Sequence, residues 1–114
     1  MKYLLLIATD PANLAGDKAQ ALIPGIMARH AALAEELRAA GVEWSGARLQ
    51  DTTTSRTVRT DGATQTVHDG PFAETRELLG GFYVVDVPDL ETAIGWARKI
   101  PMPGSGSVEV RPYA

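Results

Sequence analysis

His30 and Asp69 are the residues best suited to move a proton. His30 stands where its segment calls for leucine or isoleucine, because Ile26, His30, Leu33 and Leu37 fall on one stripe of a helix. A histidine there is partly withdrawn from water, and its ring N–H needs a partner. If Asp69 is that partner, it fixes the tautomer and frees the other nitrogen to act as a general base. The alternative is a core-edge histidine bonded to a backbone carbonyl, since a lone histidine seldom meets the tests for a site. Asp69 begins the run Asp69-Gly70-Pro71-Phe72-Ala73-Glu74. Pro71 fixes its own φ and pushes Gly70 out of the helical region, and Gly70 can take angles closed to other residues. Such a stiff bend can form a pocket wall, with Pro71, Phe72 and Glu74 as substrate contacts, or only a tight turn. Arg29 and Arg48 could bind an anionic substrate bidentately; the alternative is a pair of ordinary surface ion pairs.

Other candidates read as scaffold. Glu74 and Glu77 suit a solvated helix edge better than a catalytic pair, and His68 falls on the polar side of a hairpin arm. Trp44 and Trp96 suit dimer or core packing. Gly80-Gly81 either leaves room for a ligand or forms a bulge. With no cysteine and two histidines, thiol chemistry is excluded and a multi-histidine zinc site is not expected. There is no glycine-rich phosphate loop, serine elbow or metal box. No cofactor is expected. The net charge of -3, without a lysine/arginine run, leaves no electrostatic footprint for nucleic acid.

The positioning elements follow from periodicity. The 114 residues, 45% hydrophobic, suit one domain over 1–114 with a modest core. Tyr3 to Thr9 reads as a strand apolar on both faces rather than a membrane span or leader, which places the protein in the cytoplasm. Asp17 is a cap candidate for a short helical turn that Pro24-Gly25 interrupts or restarts. The long helix then runs from Ile26 to a terminating Gly41. Val42 to Gln50 is a strand with a bulge at Gly46. Arg56 to Val67 is a hairpin turning at Asp61-Gly62, with Val58 and Val67 on one face. Glu74 to Leu79 reads as a helical turn, and Phe82 to Val87 as a second two-faced apolar strand. Asp89 caps a last helix whose stripe is Leu90, Ala93, Ile94, Ala97 and Ile100. Ser107 to Arg111 closes the chain as a strand.

With the hairpin set aside, this order is the α+β, ferredoxin-like βαββαβ arrangement. Two helices cover one face of such a sheet. The other face, apolar in two strands, is expected to meet the same face of a second copy, giving a homodimer.

The bend Asp69-Gly70-Pro71-Phe72-Ala73-Glu74, followed by Gly80-Gly81-Phe82-Tyr83, resembles the DGPF-motif family, a branch of the YCII-related proteins. Met1-Lys2-Tyr3-Leu4-Leu5-Leu6-Ile7, Glu36-Leu37-Arg38-Ala39-Ala40-Gly41-Val42 and Ile100-Pro101 with Val108-Glu109-Val110-Arg111-Pro112 are similar too. The resemblance implies a ferredoxin-like fold with an inserted β-hairpin, assembled as a dimeric α/β barrel. It also implies a small enzyme in which a helix histidine, matched by His30 beside Arg29, and an aspartate, matched by Asp69, form the catalytic pair. Genes of this branch often lie beside sigma-factor-like regulators. Two functions therefore stand. One is a cofactor-independent lyase, isomerase or hydrolase acting on a small polar substrate. The other is a non-catalytic dimeric module that binds a small molecule or a regulatory partner, with neither nucleic acid nor membrane involved.

Overall fold

A computed structural model describes residues 1–71 and 76–114. Its main sheet has four strands, β1 (Lys2–Thr9), β2 (Glu43–Arg48), β5 (Leu78–Asp86) and β6 (Gly106–Pro112). Their order across the sheet is β2-β5-β1-β6, with every neighbouring pair antiparallel. Two further strands, β3 (Arg56–Asp61) and β4 (Thr64–Asp69), form a separate antiparallel pair. The helices are a single turn α1 (Asp17–Gln20), the long α2 (Ile23–Ala39) and α3 (Leu90–Ala97). The chain is α+β, compatible with a ferredoxin-like arrangement. Among the described residues no helix is long and apolar enough to cross a membrane.

Strand alternation divides the sheet into two unlike faces. Tyr3 faces Val85 and Leu5 faces Tyr83, and all four are buried beneath the helices with Leu33, Leu37, Ala93 and Ile100. Leu4 opposite Val84 and Leu6 opposite Phe82 point the other way and stay half-buried. The bulge expected at Gly46 is absent, since β2 keeps unbroken register against β5. The register shift lies instead between Ile7 and Ala8, where Gly80 is the extra residue of β5.

The long helix forms as its sequence dictates. Pro24 falls in the first turn, where a missing N–H costs nothing. Leu33 and Leu37, one turn apart, are 3% and 1% exposed. Gly41 takes φ 69°, its N–H donating to the Arg38 carbonyl while that of Val42 donates to Leu37, each at 3.0 Å. That double bond pattern stops the helix. Asp89 caps α3, accepting the Thr92 N–H at 2.8 Å.

Other expectations need correction. Gly16, not Asp17, holds the cap position of α1. Leu78 and Leu79 belong to β5, not to a helical turn, and the start of that expected turn, Glu74 and Thr75, lies outside the described residues. Leu90, at the start of α3, is 45% exposed, whereas Ala93 and Ile100 are buried. In the two-stranded unit Val58 does face Val67, but both are exposed. That register puts Asp61 opposite Thr64, so the turn residues are Gly62 and Ala63, with Gly62 at φ 58°.

Candidate functional site

A cavity of about 820 Å³ opens between α2 and the β2–β5–β1 side of the sheet. Its lining is mostly apolar, including Ile7, Ile26 and Leu78, with His30, Arg48 and Tyr83 as its functional side chains. His30 reaches it because it lies three residues before buried Leu33 on α2, which turns its ring toward the sheet. Tyr83 reaches it from the middle of β5, on the core face shared with Val85. The two meet: His30 Nδ1 is 2.6 Å from the Tyr83 hydroxyl, and the rings lie 5.9 Å apart between centroids.

The Tyr83 ring is held from two sides. Trp44 packs against it edge-on, with centroids 5.6 Å apart and planes at 63°. Gly46, directly opposite on β2, lies beneath it. A β-carbon there would stand 2.8 Å from Tyr83 Cδ1 and 2.6 Å from the Phe82 carbonyl oxygen, so only hydrogen fits. Two residues along, Gly81 faces Arg48, and a β-carbon there would crowd the Ala47 carbonyl at 2.9 Å.

The electrostatics favour neutral groups. His30 titrates below its ordinary value, first because burial disfavours the imidazolium and then because Arg29 and Arg48 repel it. Burial raises the Tyr83 phenol. The pair therefore shares protons as neutral imidazole and neutral phenol. Either the phenol donates to Nδ1, leaving an N–H at Nε2, or Nδ1–H donates to the phenol oxygen, leaving a basic lone pair at Nε2.

The expected site residues are brought together only in part. His30 and Arg48 share the cavity. The expected pairing of Asp69 with His30 is not seen in this chain: His30 pairs with Tyr83, while Asp69, at the end of β4, holds Arg56 Nε at 3.0 Å with its side chain 89% exposed. Asp69 and Pro71 are not among the cavity's lining residues. Arg29 borders a neighbouring depression with Met102 and Gly104. Phe72 and Glu74 lie outside the described residues. His68 is exposed and bonded to Thr66 Oγ1 at 2.9 Å. Trp96 packs on the core, as expected for one of the two tryptophans.

Sequence reasoning missed Tyr83, Trp44 and Gly46 as a connected unit. One signal was present: a hydroxyl in the middle of an apolar strand, on the core face, must find a polar partner.

Comparison with known proteins adds the family. Over 70 residues the chain is 47% identical to a protein of Rhizobium meliloti (strain 1021) described as uncharacterised. That match covers 60% of this chain and 56% of the relative, so the chain spans little more than half the length of the relative it matches. The YCII-related domain matches residues 1–114, and with the α+β fold already described, the chain belongs to the YCII-related family.

Proposed function

We propose that this protein binds a small molecule in the α2–sheet cavity and moves a proton on it with His30. The observation that carries this reading is the 2.6 Å contact between His30 Nδ1 and the Tyr83 hydroxyl inside that cavity. The phenol orients the imidazole, and Nε2 takes the proton from the ligand when Nδ1–H donates to Tyr83. The ligand is left as an anion beside imidazolium, and Arg48 stabilises that anion electrostatically. A ring that stays neutral in the empty cavity is suited to be a base. An elimination or an isomerisation begins with such a step, in a hydrolysis the same nitrogen would take its proton from the attacking water instead, and no cofactor enters either.

Melting of the protein against a library of small acids and lactones tests the binding half, because a ligand of the native state raises its stability. Turnover of a confirmed hit tests the rest. His30→Gln should lose most activity and Tyr83→Phe a substantial part. Full turnover in both variants would sink the proton-transfer reading.

A second reading, a non-catalytic binding module, draws support from one feature. The partner of His30 is a neutral phenol rather than a carboxylate that would stabilise the imidazolium. In that case the cavity only holds its ligand, in keeping with the regulatory association of the DGPF-motif branch.

The finer points of the resemblance remain part of this proposal. The Asp69-Gly70-Pro71 sequence supports membership of the DGPF-motif branch. Two cytoplasmic copies meet through the helix-free face carrying Leu4, Leu6, Phe82 and Val84, closing a dimeric α/β barrel. Light scattering at micromolar concentration should then give twice the chain mass.

A further inference from the structure

We infer that the cavity selects an organic anion of single charge with an apolar body, a monocarboxylate being the simplest, whose charged end is held by Arg48. This rests on the reading that the α2–sheet cavity is the ligand site.

Three observations point to that ligand class. First, Arg48 lines the cavity and makes no ion pair with any other described residue. An arginine on a strand that lines the cavity can offer its donor fork to a bidentate partner. Second, Asp51, the carboxylate among the described lining residues, is not paired with Arg48; its Oδ1 accepts the Thr53 backbone N–H at 3.0 Å, capping the one-turn 3-10 helix Thr52–Thr54. Third, the remaining walls are largely aliphatic and aromatic, with Ile7, Ile26, Met27, Leu78 and Pro101 among them. Such a surface binds a hydrocarbon body by removing it from water.

Arg29 lines the neighbouring depression, so among the described residues Arg48 is the one guanidinium in the cavity wall. A carboxylate matches that single fork and its single charge, whereas a phosphate dianion, though it too can pair bidentately, carries a second charge for which this wall offers no partner among the described residues. The repulsion that Arg48 exerts on His30 points the same way, since a bound carboxylate would relieve it.

Calorimetric titration of the whole chain with phenylacetate and hexanoate, against phenylacetamide and hexanamide, tests the inference at neutral pH. The acids should bind at least about tenfold more tightly than the amides of the same shape. Arg48→Met should abolish that preference, with acid and amide binding alike, and Arg48→Lys should keep part of it. Equal affinity for acid and amide overturns the inference, as does a preference that survives in Arg48→Met. So does the absence of saturable binding by either acid up to about 10 mM, which corresponds to a negligible affinity. His30→Gln separates the two readings. An acid preference kept in that variant, together with unchanged turnover, removes the proton-transfer reading and leaves this one intact. Lost turnover without any acid preference does the reverse.

Discussion

The Tyr83 ring lies over Gly46, so close that a β-carbon on the glycine would sit 2.8 Å from Tyr83 Cδ1. Gly46 is therefore a positioning residue for the His30–Tyr83 contact. Gly46→Ala should destabilise the protein by about 1–3 kcal/mol, as overpacking does. It should also move the His30 titration measured by NMR, because the displaced phenol no longer reaches Nδ1. A variant with lost stability but an unmoved His30 titration would mean that the glycine serves only strand packing against the Phe82 carbonyl.

The depressed titration of His30 makes stability depend on pH. The ordinary value is 6.5, and the folded value lies below it. Between the two the unfolded chain holds a proton that the folded protein does not, so stability rises with pH across that window. The His30 contribution is intact above about 6.5 and is lost as pH falls through the folded value. Thermal melts from pH 7.5 downward should show this decline beginning near 6.5. Arg48→Met should shrink it, because one source of repulsion is removed.

Leu37 is 1% exposed and belongs to the core with Leu33, Leu5 and Val85. Leu37→Ala should cost about 2–5 kcal/mol in denaturant unfolding, the usual range for a buried leucine truncation. A change within experimental error would show that α2 packs through another face.

Asp69→Asn should change stability by no more than about 0.5 kcal/mol, since it loses only a solvent-exposed ion pair with Arg56. The His30 titration should stay where it is in the wild type. A clear shift of that titration would restore Asp69 to the site.

The parts legible in the sequence are those set by local chemistry. Gly41 ends α2 and Asp89 caps α3 because backbone angles and donors near them leave few choices. Leu33 and Leu37 announce the buried helix face by their spacing. The hairpin turn slipped by one residue because Asp61-Gly62 and Gly62-Ala63 both suit a tight turn. Either turn leaves Val58 and Val67 on one face, as expected from sequence, and the observed one sets them directly opposite. What was not legible depends on tertiary contact. Gly46 reads as a bulge until the Tyr83 ring is seen to occupy its side-chain space. His30 finds its partner in a distant strand, and the proximity of helix and strand carries no local signature. The apolar alternation of β5 concealed a hydroxyl that turned out to be half of the candidate site.

The placement of β1 between β5 and β6 has a consequence for how the chain reaches this structure. Leu5 must find Tyr83 on one side and Val110 on the other, partners supplied from late in the sequence. Early in folding the first strand has no edge to join, and closing those long loops costs entropy before any contact rewards it. The β3–β4 pair needs no such wait and can form within microseconds. Synthesis from the ribosome would thus leave an apolar strand exposed until the last strand emerges. Once β6 docks, the amides of β1 should become the slowest in the molecule to exchange with solvent, because releasing them requires opening the whole sheet.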